Sequence, residues 1–194
     1  MRMTSRFFSI RSSAILAMFL VTVAVFSVSV RAEKKPADVK LQKGTWADVQ
    51  KLIKENPGKV VVVDAWSTSC VPCMREFPHL VELHKKYSKE VVCVSFSCDF
   101  VGIKGKPPEF YEERVLKFLK SKEATLVNFL ATEAADEAYE KMGIESIPAV
   151  FVYGTDGKLA QKFDSEYKGG GEGEEPFTYK DVTALVEKLA PAKN

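Results

Sequence analysis

The stretch Asp64-Ala65-Trp66-Ser67-Thr68-Ser69-Cys70-Val71-Pro72-Cys73 decides how this chain is read. Val60-Val61-Val62-Val63 leads into it, a short apolar, β-branched segment that suits a buried strand. Met74, Phe77, Leu80, Val81, Leu83 and Tyr87 follow at helical spacing. A strand therefore feeds a tight turn, and the turn feeds a helix. The two cysteines stand three apart at that helix start, within disulfide reach of each other. Free backbone N–H groups and the positive end of the helix dipole stabilise a thiolate there. Cys70, the outer thiol, takes the lowered pKa and the role of nucleophile. Cys73, one turn in, is the shielded resolving thiol. Pro72 fits the first turn, where its missing N–H costs nothing.

Other residues stand at set distances from this pair. Trp66 lies four before Cys70, and Pro78 lies five after Cys73. Far downstream comes Gly143-Ile144-Glu145-Ser146-Ile147-Pro148-Ala149-Val150-Phe151-Val152. With Asp64, these features make the chain resemble the thioredoxin superfamily from Trp46 to Lys188. The resemblance implies an α/β thioredoxin fold, a central mixed β-sheet flanked by helices. It implies a cis bond before Pro148 and a peptide-binding surface made by Trp66, Ile147 and Pro148. It also implies that Asp64 is a buried acid behind the cysteines, its pKa raised by desolvation, which takes the proton of Cys73. The plainer alternatives are an aspartate bonded locally at a strand end and an ordinary trans proline opening a strand.

The sequence departs from thioredoxin proper at two places. Ser95 falls where many thioredoxins carry a lysine near the buried acid, and Ser69 replaces the second tryptophan before the cysteines. An extra helix and strand are expected between Asp99 and Leu130. They resemble the insert of the exported TlpA/ResA-like branch. The opening helix Thr45–Glu55 and Asp64 instead resemble thioredoxin itself.

Outward from the motif, residues 33–40 read as a linker or edge strand. Thr45 caps a helix with Trp46, Val49, Leu52 and Ile53 on one face, stopped by Asn56-Pro57-Gly58. Val91 to Cys98 reads as a strand and Asp99 to Pro108 as a loop. A helix follows over Glu109 to Lys120, with Phe110, Val115, Phe118 and Leu119 inward. Leu126 to Leu130 is a short strand, and Glu133 to Met142 a helix closed by Gly143. Ala149–Tyr153 and Lys158–Phe163 form a hairpin through Asp156-Gly157. Lys168 to Pro176 is a glycine- and glutamate-rich loop, and Thr178 to Leu189 the last helix.

Residues 1–32 stand apart. Arg2, Arg6 and Arg11 precede an uncharged, mostly apolar run of 17 residues from Ala14 to Val30. This reads as a signal peptide, with an uncleaved membrane anchor as the alternative. The domain then occupies 33–194, in a periplasmic or otherwise extracytoplasmic setting. The whole chain has 28 basic and 26 acidic residues, and the first 32 hold four arginines and no acid. Without them the balance is 24 against 26, nearly neutral, which argues against a nucleic-acid partner. Contact with a membrane is expected only if the leader remains attached.

The chain has four cysteines, too few for a disulfide scaffold of this size but well suited to a redox motif. Cys93 and Cys98 are separated by about 16 Å of strand and face opposite ways, so they do not pair with each other. Core packing is the plain reading of both, and a third redox or metal-binding thiol at Cys98 the alternative. His79 and His84 read as surface residues, because their spacing from the cysteines matches no structural zinc pattern.

The expected activity is a protein thiol–disulfide oxidoreductase working through Cys70 and Cys73. It needs no bound cofactor and no metal. The resemblance implies cysteine-containing exported proteins as partners, apocytochromes among them, and a membrane-bound electron donor. A non-enzymatic copper-binding or chaperone module using the same cysteines is the rival reading.

Overall fold

The computed structural model describes residues 38–168 and 177–190. The segment expected as a leader, 1–32, and residues 169–176 of the expected loop lie outside the described residues. The elements are β1 (Gln42–Gly44), α1 (Trp46–Lys54), β2 (Val60–Trp66), α2 (Val71–Lys86), β3 (Val91–Ser97) and α3 (Glu109–Ser121). After them come β4 (Val127–Ala131), α4 (Ala135–Met142), β5 (Ala149–Tyr153), β6 (Leu159–Phe163) and α5 (Tyr179–Leu189).

The six strands form one sheet in the order β1-β4-β3-β2-β5-β6. The first four in that order run parallel, while β5 is antiparallel to β2 and β6 antiparallel to β5. This is the mixed sheet flanked by helices that the sequence predicts. The extra helix and strand are α3 and β4. Strand β2 lies at the centre of the sheet, and every residue in it is buried. Its four consecutive valines are explained by apolar layers on both faces. Val60, Val62 and Trp66 face one core with Phe77, Leu80, Val115, Leu119, Val182 and Val186. Val61, Val63 and Ala65 face a second core with Trp46, Val49, Phe96, Ala138 and Phe151.

Local chemistry explains most of the boundaries. Thr45 caps α1 in a reciprocal capping box with Asp48. Gly143 closes α4 in the left-handed conformation. Glu133, expected to open α4, lies before it with its carboxylate buried, where it accepts from Trp46 N at 3.0 Å and Lys141 Nζ at 2.6 Å.

An edge strand lies at 42–44, beside β4; of the segment expected as a linker or edge strand, residues 33–37 lie outside the described residues and 38–40 hold no strand. Gln-Lys-Gly has no apolar alternation, so nothing in its sequence marks it as a strand. Phe110 does not face inward and is 56% exposed. The inward stripe of α3 is Tyr111, Val115 and Leu119, spaced by four, which turns Phe110 to the outside.

Candidate functional site

The site stands at the end of the sheet where β2 and β3, being parallel, both finish. Cys70 is the N-cap of α2, and its sulfur accepts from Cys73 N at 3.3 Å. Pro72 lies in the first turn, as expected, and Pro78 lies within the helix. The two cysteines form a disulfide, with Cα atoms 5.3 Å apart. Cys73 is 2% exposed, whereas Cys70 is only half-buried. The pair is therefore asymmetric in the expected sense: the outer sulfur is open to a partner and the inner one is shielded.

The turn before Cys70 is tied down from the neighbouring strand end. Asp99, buried just beyond β3, accepts from Thr68 N at 3.0 Å, from the Thr68 hydroxyl, and from the Ser97 hydroxyl at 2.7 Å. Arg114 of α3 donates to the same carboxylate at 2.6 Å and lies over the Tyr111 ring. Phe118, one turn further along α3, packs on Trp66 and Phe77 with ring centroids 4.8 and 5.2 Å away. The inserted helix thus supports the cysteine turn through one ionic contact and two aromatic contacts.

Asp64 is 3% exposed. Burial pushes its carboxyl up to about 7; a hydrogen bond from Tyr179 opposes this and the negative charge of Glu76 adds to it. Tyr179 Oη donates to Asp64 Oδ2 at 2.6 Å. Ser95 is the register partner of Asp64 on β3, at the place expected to lack a cation, but its hydroxyl donates to Asn128 instead. Asp64, Cys73, Pro72, Glu76, Pro148 and Tyr179 all border a cavity of about 10 Å³. That is close to the smallest space that holds one water. Asp64 and Cys73 thus border a common space.

The Ile147–Pro148 peptide bond is cis. Both residues are half-buried just before β5, whose Ala149 pairs with Ala65 of β2. They therefore lie beside the cysteine turn. Trp66 differs from expectation. It is fully buried between Phe77 and Phe118, so its indole supports the site from below and cannot touch a partner in this form.

Cys93 and Cys98 are free, buried, and on opposite faces of the sheet. Burial, the main cause, raises both thiols far above the ordinary range. His79 is exposed and bonded to Glu82, while His84 is half-buried rather than at the surface. Among the described residues no three His, Cys, Asp or Glu side chains are grouped so as to hold a metal ion.

Tyr179 and Glu76 are the site residues that the sequence reading missed. Glu76 stands three after Cys73, on the same side of α2, a spacing visible in the sequence. Tyr179 lies three before Val182 and seven before Val186, on the buried stripe of the last helix, so its burial was readable. Its bond to Asp64 was not.

A cysteine pair at a helix start, a buried acid behind it and a cis proline beside it, on this sheet, define a thioredoxin-fold redox centre. A thioredoxin-like family model matches residues 58–159, over half of the chain, and the chain belongs to that family. It is 30% identical to the thiol-disulfide oxidoreductase ResA of Bacillus thuringiensis subsp. konkukian over 115 residues, 59% of this chain and 60% of that protein. It is 28% identical to ResA of Bacillus cereus over 140 residues, 72% and 68% of the two chains. The chain thus spans about 60% of the length of the first of these relatives. Two solved structures share the fold. A thioredoxin-family thiol:disulfide interchange protein from Chlorobium tepidum has a TM-score of 0.51 at 20% identity, over 70% of this chain and 83% of that one. A DsbF homologue from Corynebacterium diphtheriae has a TM-score of 0.53 at 19% identity, over 71% and 76%.

Proposed function

We propose that the protein is a thiol–disulfide oxidoreductase whose Cys70/Cys73 dithiol reduces or exchanges disulfides of other proteins, closing to the Cys70–Cys73 disulfide as it does so. The observation that carries this reading is the asymmetry of the pair: a half-exposed sulfur at a helix N-cap, and a buried one sharing a cavity with Asp64. In the reducing direction, the Cys70 thiolate attacks a partner disulfide. A Cys70–partner bond forms, the partner's S–S bond breaks, and one partner thiolate leaves. The Cys73 thiol then gives its proton to Asp64, and its sulfur attacks Cys70. The mixed disulfide breaks, the second partner thiolate leaves, and the Cys70–Cys73 disulfide remains. Two electrons have passed to the partner. A dithiol reductant must return them, and a membrane-bound electron donor fills that role in this reading.

The partners are proteins that present a disulfide or thiols in an accessible segment, exported apocytochromes among them. Ile147 and Pro148 receive that segment beside Cys70. Large apolar side chains are exposed near this end of the sheet, at Val71 beside Cys70 and at Val101 just after Asp99, and they favour a protein partner over a small thiol. Work outside the cytoplasm is supported by the basic start and the apolar run of residues 1–32.

The test is reduction of a disulfide-bridged peptide by the reduced protein, followed by quenching and mass analysis. The peptide's disulfide should disappear as the Cys70–Cys73 disulfide forms in equal amount. Persistence of the peptide disulfide, with Cys70 and Cys73 remaining thiols at a potential that favours transfer, would refute the reading.

A further inference from the structure

Tyr179 is the first residue of α5, behind Thr178, whose capping box with Asp181 sets where the helix begins. It is 4% exposed. It borders the cavity of about 10 Å³ that holds Asp64, Cys73 and Pro148. It also borders an open groove of about 580 Å³ between α2 and α5, with Glu76 and His79. Tyr179 and Glu76 therefore stand between the buried acid and the solvent side of the molecule.

We propose that Tyr179 is a positioning residue of the redox centre: its hydroxyl holds one oxygen of the Asp64 carboxylate, leaves the other for the proton of Cys73, and sets the pH at which the mixed disulfide is resolved. This rests on the oxidoreductase reading and extends it, because it makes the last helix part of the proton-transfer apparatus.

A phenol has one proton to donate, and here it goes to Asp64 Oδ2. A donor to the charged form of an acid favours that form, so the hydroxyl works against desolvation. The titratable groups around Asp64 are Tyr179 from α5, Glu76 and Cys73 from α2, Cys93 from β3 and, just past β3, Cys98, which burial keeps protonated. Pro148 and Val150, from the β5 side, carry no charge. Negative charge on Glu76 opposes ionisation, and burial keeps Cys93 protonated. Ser95 is engaged with Asn128. Among the described residues Tyr179 is thus the side chain that favours the carboxylate. The bond joins residues 115 apart in sequence. Any shift of α5 therefore changes the acid that serves Cys73.

Tyr179→Phe removes the hydroxyl and keeps the ring. The pH midpoint of mixed-disulfide resolution should rise by about one unit, because a hydrogen bond to a charged group is lost. Below the midpoint, resolution should be about tenfold slower than in the unsubstituted protein, and above pH 9 nearly unchanged. The ¹³C carboxyl resonance of Asp64 in the oxidised protein should titrate higher by the same amount. Replacing Tyr179 by 3-fluorotyrosine, a stronger donor, should move both midpoints down, which keeps the proposal testable if Tyr179→Phe folds poorly. In an Asp64→Asn background neither change should move the pH profile. A purely structural role predicts a lower Tm with both midpoints unmoved. That result, with Asp64→Asn still slowing resolution, overturns the proposal and leaves the oxidoreductase reading intact. If Asp64→Asn does not slow resolution, Asp64 is not the proton acceptor, and the proposal falls with it.

Discussion

Replacing Asp64 by asparagine removes the ionisable group from behind the cysteines and nearly preserves its shape. The folded pKa is about 7, against an ordinary value of 3.8. Burial thus raises the pKa, and the folded state resists ionisation. Well below pH 4 the acid is protonated whether the chain is folded or not, and no penalty exists. Between about pH 4 and pH 7 the penalty grows, and above the folded pKa it levels off. Three units at 1.36 kcal/mol each give a cost of about 4 kcal/mol at pH 8. The asparagine can still accept the Tyr179 hydroxyl, but its new N–H group needs a partner beside the small cavity, which offsets about 1–2 kcal/mol. The expected net change is a gain of about 2–3 kcal/mol at pH 8 and, because the offset does not depend on pH, a loss of about 1 kcal/mol at pH 4. Urea melts of the oxidised protein measure this without titration of Cys70 and Cys73, and the contribution of the free thiols Cys93 and Cys98 is common to both proteins. The kinetic half uses stopped-flow exchange with a model disulfide. Formation of the mixed disulfide should be nearly unchanged, since Cys70 is served by the helix start. Its release should slow by about 10²-fold, the usual contribution of a positioned acid–base group. A stability gain independent of pH, together with unchanged release, would refute the reasoning and leave Asp64 an ordinary strand residue.

Cys70→Ser should abolish exchange, whereas Cys73→Ser should accumulate mixed disulfides with partners, read on non-reducing gels; equal accumulation by both would reverse the assignment of nucleophile. Cys93 and Cys98 should resist alkylation in the folded oxidised protein and react fully in denaturant, as mapped by mass spectrometry, because each is buried in a different core layer. Asp99→Asn should cost about 2–3 kcal/mol, because the bonds from Arg114 and Thr68 lose their charged acceptor. It should also slow attack by Cys70, since the turn before that cysteine loses its anchor. A melt and a single-turnover rate at one pH measure both effects.

The sequence by itself determined the fold family and the reactive pair. Four consecutive valines, two cysteines three apart and a helical apolar stripe lie within 30 residues of one another. Their meaning depends on local period and on the chemistry of a helix start. The same held for the Thr45 cap, the Gly143 stop and the hairpin around Asp156-Gly157. The edge strand at 42–44 escaped because it is held by β4 and not by any pattern of its own. Phe110 was misplaced because two adjacent aromatic residues competed for one inward position, and only packing against the sheet selects Tyr111. Tertiary structure alone decided that Trp66 lies under the site, that Arg114 reaches Asp99, and that Tyr179 donates to Asp64. Hydrogen bonds between residues 15 or 115 apart leave no periodic signal along the chain. They exist because the sheet order brings the ends of β2 and β3 together and lays α3 and α5 against the same face.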